Sequence, residues 1–237
     1  MKIILTNDDG IDAPGLEALF QILRAVSTPI IVAPEQPQSG ASHSVTTRSP
    51  IRINRLDQDR FCVGGTPADC ARIAVKEIAT DADWLISGIN PGANLGSDVY
   101  QSGTVAAARE AAILGYRAIA VSQYIAKDCQ IDWDITKDHA HSVLYMLLDK
   151  DLTRGCFWNV NLPHPLMADV DLCVEFCRLD ILPHKYNYRK KGKNYVYEGT
   201  IHERPRDPGK DVDVCFSGNV SISQLTIQTT AGATLKK

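Results

Sequence analysis

The sequence has no Cys-x-x-Cys pair, no surplus of basic charge and no apolar run long enough to cross a bilayer, and each absence removes a class of function. Its seven cysteines form an odd set, at positions 62, 70, 129, 156, 173, 177 and 215. That argues against zinc ribbons and disulfide frameworks. Phe61-Cys62-Val63 and Gly155-Cys156-Phe157 place thiols inside apolar runs, where they act as small hydrophobes suited to a reducing compartment. With 25 basic against 28 acidic residues, net −3, the chain is not expected to bind polymeric DNA or RNA. Small phosphorylated ligands stay open, because a metal and backbone N–H groups can hold a phosphate with little net positive charge. The apolar stretch at Met1-Lys2-Ile3 stops at Thr6 with acids following, so it does not read as a signal peptide, and no membrane partner is expected. The expectation is a soluble, cytoplasmic protein. There is no internal repeat or low-complexity segment.

What is present is an alternation of buried strands and amphipathic helices, the pattern of a mostly parallel sheet with helices on its faces. A length of 237 residues with 44% hydrophobic content suits one globular domain over 1–237. Ile3 to Leu5 reads as a buried strand. Leu16, Leu19, Phe20, Leu23 and Val26 mark one face of a helix introduced by Pro14-Gly15. Ile30 to Ala33 is the next strand, stopped by Pro34, and Glu35 to Ser44 is a polar loop. Ile51-Arg52-Ile53 and Phe61-Cys62-Val63 read as short strands, the first at an edge. Thr66-Pro67-Ala68-Asp69 opens a helix. Trp84 to Ile86 is a third buried strand running into a glycine-rich loop from Ser87 to Gly96. A helix over Val105 to Leu114, ended by Gly115, returns to a strand at Ala118 to Val121. A helix near His139 to Leu148 and a strand over Phe157 to Leu162 extend the pattern. From about 180 to 210, tyrosines interleave with lysines and arginine. A projecting hairpin with a Lys191-Gly192-Lys193-Asn194 turn, used as a subunit contact, explains this more plainly than a nucleic-acid strip.

The most informative segment is Thr6-Asn7-Asp8-Asp9-Gly10. Consecutive strand side chains face opposite ways, so the two acids converge only beyond the strand, and Gly10 supplies the freedom to turn there. Two carboxylates this close repel unless a cation lies between them or one keeps its proton. Four loops are expected at one sheet edge: Asn7 to Gly10, Glu35 to His43, Gly88 to Gly96, and the segment leading to Ser102-Gly103-Thr104. They offer oxygen ligands and helix-start N–H groups rather than Cys or His pairs, which points to Mg²⁺, Mn²⁺ or Ca²⁺ over zinc. The helix after Ser102 presents unpaired N–H groups suited to a phosphate. Metal and anion cradle together suggest phosphate-ester chemistry.

Six blocks in one order make the chain resemble the SurE survival-protein family of metal-dependent 5′/3′-nucleotidases. They are Leu5 to Gly10 with Ala13-Pro14-Gly15; Ala33-Pro34 with Ser39-Gly40-Ala41-Ser42; Gly65 to Cys70; Ser87-Gly88-Ile89-Asn90-x-Gly92-x-Asn94-x-Gly96; Ser102 to Ala108; and Asn159 to Pro163. The match is dense to about Ser122 and sparse beyond it. The tail departs from the family pattern, with Gly218-Asn219 and Ser223-Gln224 where a glycine-tyrosine and a threonine-proline pair are usual. The resemblance implies a three-layer, Rossmann-like α/β sandwich with a C-terminal β-hairpin extension exchanged between subunits of a homodimer or homotetramer. It also implies one divalent cation per subunit, Mg²⁺ or Mn²⁺, held by Asp8, Asp9, Ser39 and Asn90.

Asn94, Ser102, Gly103 and Thr104, with Gly40, are assigned to phosphate, helix capping by Ser102 or Thr104 being the competing account. His43 is a candidate proton donor to the leaving group. Thr66, Asp69 and Arg109 are better explained by capping and ion pairing. The reaction expected is hydrolysis of a nucleoside 5′- or 3′-monophosphate, with short polyphosphate as a further substrate. Either a water oriented by Asp9 or Asp8 attacks phosphorus, or Asp8 forms an aspartyl phosphate. The alternative from another class is a Mg²⁺-binding, receiver-like signalling domain without turnover. A receiver is about half this length and requires a lone aspartate where Ser87-Gly88-Ile89-Asn90 follows the third strand. A dinucleotide-binding oxidoreductase would need a Gly-x-Gly-x-x-Gly after the first strand, and there is none.

Overall fold

The structure is a computed structural model that describes residues 1–164, 172–228 and 230. Its main sheet takes strands β1 (Ile3–Thr6), β2 (Ile30–Pro34), β3 (Ile53–Arg55), β4 (Arg60–Val63), β5 (Trp84–Pro91), β6 (Arg117–Gln123), β7 (Cys156–Leu162), β8 (Val174–Phe176) and β11 (Val220–Thr226). They lie in the order β3-β4-β2-β1-β5-β6-β7-β11-β8. From β4 to β7 every pairing is parallel, whereas β3 and β11 join antiparallel to β4 and β7. Helices α1 (Pro14–Leu23) and α4 (Trp133–Leu148) cover one face, and α2 (Pro67–Ile73) and α3 (Gly103–Ile113) the other. The alternation of β1 explains both layers: Ile3 and Leu5 pack with α1 and α4, Ile4 with α2 and α3. The result is the three-layer α/β sandwich expected.

Helix starts follow local chemistry. Thr66 accepts the Asp69 N–H at 3.1 Å while Asp69 accepts the Thr66 N–H at 3.0 Å, a reciprocal capping box, with Pro67 at the first helical position. Asp132 caps α4 by accepting the N–H groups of Asp134 and Ile135. That cap starts the helix six residues before the expected His139. Val26 falls outside α1 and is exposed, because the helix ends at Leu23. The edge strand occupies 53–55 rather than 51–53, a register set by pairing Ile53 with Val63. The strand expected to stop at Ile86 continues to Pro91, with an irregularity between Ser87 and Asn90 that lets it keep pairing with β6.

The hairpin β9 (Tyr188–Lys191) and β10 (Asn194–Tyr197) forms a separate two-stranded sheet, with every residue exposed and Gly192 at φ +63° in its turn. A last helix, α5 (Asp211–Phe216), packs on β11. Among the described residues no helix is long and apolar enough to cross a membrane.

Candidate active site

Sheet order changes direction at β1, with β2 on one side and β5 on the other, and ligands in open parallel sheets bind beyond the strand carboxyl ends at such a point. There Asn7 closes the turn after β1. Its Nδ2 donates to the Gly10 carbonyl at 2.8 Å and its Oδ1 accepts the Gly10 N–H at 3.2 Å. Asp8 and Asp9 are thereby thrown to the sheet edge. The Gln38 N–H donates to the Asp8 carbonyl at 2.7 Å and so attaches the Ser39 loop beside the acids. A cavity of about 340 Å³ results, lined by Asp8, Asp9, Ser39, Gly40, Asn90 and Asn94, with Ser102 and Asp98 on its far side.

The start of α3 is pressed against the acids. Ser102 caps it by accepting the Val105 N–H at 3.0 Å, and the Thr104 hydroxyl donates to Asp8 Oδ1. A Cβ on Gly103 would lie 2.8 Å from Asp8 Cβ and 2.9 Å from Asp8 Oδ2, so only glycine permits this approach. Capping by Ser102 does not preclude the expected anion, since the Gly103 N–H has no hydrogen-bond partner among the described residues. Thr104 is fully buried behind Asp8 and reaches the site through it. The connection carrying Ser102 to Thr104 does not follow a strand of its own as expected. It continues the loop after β5 through a 3-10 turn at Gly96–Tyr100, so three strand ends rather than four build the site.

Electrostatics favour a cation here. Burial pushes the Asp8 carboxyl above its ordinary range, against the Thr104 hydroxyl and the backbone N–H groups of Asp8 and Thr104, which favour the charged form. Burial and the neighbouring Asp8 charge push Asp9 up to about 6. Asp9 Oδ2 is buried with no hydrogen-bond partner among the described residues, a costly arrangement for a carboxylate unless a cation meets it. Asn90 spends its Nδ2 on the Gly92 carbonyl at 2.5 Å, which leaves its side-chain oxygen as a hard ligand. Ser39 Oγ has no partner among the described residues either. The donor set is four oxygens with two negative charges, which fits Mg²⁺ or Mn²⁺.

His43, a candidate proton donor, does not line the cavity. Its Nε2 lies 2.6 Å from Glu110 Oε2 and its Nδ1 3.3 Å from Arg109 Nη1. Glu110 is buried, and Arg72 Nε meets its other oxygen at 2.6 Å. Burial alone would raise the Glu110 carboxyl, but the hydrogen bonds and charges of His43 and Arg72 outweigh it and hold it below its ordinary range. The histidine therefore pins the Ser39 loop to α3. Ser42 adds a second pin by donating to the Tyr100 carbonyl at 2.8 Å.

The structure also supplies residues to which sequence reading assigns no role. Asn161 Oδ1 accepts the Asn94 N–H at 2.8 Å, Asn159 Nδ2 and Asn161 Nδ2 donate to the Asn94 carbonyl, and Ser122 Oγ accepts from Asn94 Nδ2 at 2.7 Å. All three are buried, Ser122 and Asn161 near the ends of β6 and β7 and Asn159 in the middle of β7. The signal was the i, i+2 spacing of two amides inside an otherwise apolar strand. Asp98 carries a negative charge at the cavity wall that is met by Arg204 at 2.7 Å and His184 at 2.6 Å, both from the hairpin region.

A family model described as survival protein SurE matches residues 3–181. A protein of Synechocystis sp. (strain ATCC 27184 / PCC 6803 / Kazusa) is 47% identical over 227 residues, covering 96% of this chain and all of that protein. The 5′-nucleotidase SurE of Mesorhizobium japonicum is 44% identical over 240 residues, covering 98% of this chain and 95% of its own length. The solved structure of the SurE protein from Aquifex aeolicus superposes with a TM-score of 0.86 at 28% identity, covering 97% of this chain and 95% of that one.

Proposed function

The chain belongs to the survival protein SurE family, and from that premise we propose that it is a divalent-metal-dependent phosphomonoesterase. Its substrates in this reading are nucleoside 5′- and 3′-monophosphates, cleaved to nucleoside and phosphate, and short polyphosphate. The 5′-nucleotidase names of its relatives support the nucleotide. The single observation that carries the metal is the buried, partnerless Oδ2 of Asp9 beside a second buried acid. Asp8, Asp9, Ser39 and Asn90 would hold one Mg²⁺ or Mn²⁺. When bound, that ion supplies charge compensation to a phosphoryl oxygen and lowers the pKa of a water.

The residues divide the remaining work. Asp8, anchored by Thr104, is the fixed acid. Asp9, free of protein partners, orients the attacking water and takes its proton. The Gly103 N–H at the positive end of α3, with Asn94 and Gly40, holds the phosphoryl oxygens turned away from the acids as charge shifts toward the leaving group. An aspartyl phosphate on Asp8 is the rival route, and the Thr104 hydroxyl on Asp8 Oδ1 favours the water. We place the enzyme in the cytoplasm as a homodimer or homotetramer assembled through the tyrosine-rich hairpin.

The test is a panel of phosphomonoesters assayed with Mg²⁺, with Mn²⁺ and with chelator. Phosphate release from nucleoside monophosphates in metal and none in chelator is expected. Intact substrates throughout, with either metal, would overturn the reading.

A further inference from the structure

At the opposite edge of the sheet lies a cavity of about 490 Å³, and we propose that it is a binding site for a free α-amino acid with an apolar side chain. Its walls are the C-terminal half of α1, the loop from Ser27 to Pro29 and the turn from Asp57 to Arg60. Because β1, β2 and β4 run parallel, this is the amino edge of the strands whose carboxyl edge carries the acid pair. The inference therefore stands apart from the nucleotide reading.

Shape and apolar surface come first. The volume is within the range of small-molecule sites. Glu17, Phe20 and Arg24 follow one another at intervals of three and four, which sets them on one stripe of α1. Phe20 packs against the core and Pro29 is buried, so the apolar wall is held in place before any ligand arrives. That wall suits an aliphatic or aromatic side chain.

The charges decide the class of ligand, and several of them are already committed. Glu17 Oε2 lies 3.3 Å from Arg60 Nη2, Glu17 Oε1 accepts from Gln21 Nε2 at 3.1 Å, and Asp57 Oδ1 accepts the Asp59 N–H at 2.9 Å. One group of each sign is left over: the Arg24 guanidinium and the Asp59 carboxylate have no partner among the described residues. Arg60 Nε and Ser27 Oγ are buried with no hydrogen-bond partner among those residues either, and buried polar atoms are rarely left unpaired in a native fold. A phosphate or other dianion would meet Glu17, Asp57 and Asp59, and a plain amine would meet Arg24 and Arg60. A neutral apolar ligand would shut the Arg60 donor further from water without pairing it. A zwitterion satisfies both signs. Its carboxylate takes the two guanidiniums and the Ser27 hydroxyl, its ammonium takes Asp59, and its side chain lies on Phe20 and Pro29.

Isothermal titration of the full chain with L-phenylalanine and with L-leucine is the test. Phenylpropionate, which lacks the ammonium, and phenylethylamine, which lacks the carboxylate, are the controls. Saturable binding of at least one of the two amino acids is expected, with each control at least about tenfold weaker. Arg24→Ala and Asp59→Ala alter side chains without partners in the fold, and each should weaken amino-acid binding about tenfold or more. The comparison of amino acid with control needs only the parent protein, so it decides the matter even where a variant folds poorly. No saturable binding below about 10 mM, controls that bind as well as the amino acids, or folded variants that bind as well as the parent would each overturn the assignment.

Discussion

Replacing Asp9 by Asn should make the metal-free protein more stable. The folded chain holds the Asp9 carboxyl at about 6, against 3.8 ordinarily, because burial and the Asp8 charge both oppose ionisation. Below 3.8 the side chain is protonated whether folded or not, and it costs nothing. Between 3.8 and about 6 the unfolded chain releases a proton that the folded one keeps, so stability falls as pH rises; above about 6 the whole cost is present. At about 1.4 kcal/mol per pH unit this comes to about 3 kcal/mol, and to about 2 kcal/mol after allowing for the solvent that still reaches the group. Urea unfolding in chelator at about pH 8 should therefore show Asp9→Asn about 2 kcal/mol more stable than the parent, with the gap narrowing below about pH 6 and closing toward pH 3.8. Added Mn²⁺ should reverse the order, since ligand binding stabilises only the chain that retains the site. A variant no more stable than the parent in chelator at the higher pH would refute the electrostatic account of the acid pair.

Asp8→Asn should leave the far-ultraviolet dichroism spectrum intact and reduce phosphate release by at least about a hundredfold, whereas chelation of the parent should do the same reversibly. Gly103→Ala forces a methyl to 2.8 Å from Asp8 Cβ, and thermal unfolding should report a loss of about 1–3 kcal/mol. Asn161→Leu removes both an acceptor and a donor from Asn94. A loss of about 1–3 kcal/mol is expected, together with a raised KM for phosphomonoesters that added metal does not correct. For His43→Gln, a weaker metal affinity with an unaltered alkaline limb of the pH–rate profile would mark a pin on the Ser39 loop. Loss of that limb would instead mark a proton donor.

The first half of the fold is legible because its strands are buried on both faces. Ile3-Ile4-Leu5 and Trp84-Leu85-Ile86 have no reading other than a central strand, and Thr66-Pro67-Ala68-Asp69 spells out its own cap. Boundaries are less so, since Asp132 rather than the apolar period sets where α4 begins, and pairing with β4 rather than composition sets β3. The acid pair can be read from adjacency alone. The anchoring of Asn94 cannot: Asn159 and Asn161 meet it across 65 and 67 residues of chain, and no local pattern encodes which loop a strand-end amide will hold. His43 shows the opposite limit. A histidine in a loop beside a site invites a chemical role, but the buried Glu110 two turns along α3 claims it.

The ribbon of residues 188–197 turns every side chain of its two strands to solvent, and a lone pair of strands is marginal in water. Its two strands pair only with each other and not with the nine-stranded sheet, so this arm should tolerate being shortened or rebuilt without melting the domain that carries it. If the proposed assembly through this hairpin is what maintains it, a chain kept very dilute should show the arm fraying while the acid pair stays in place.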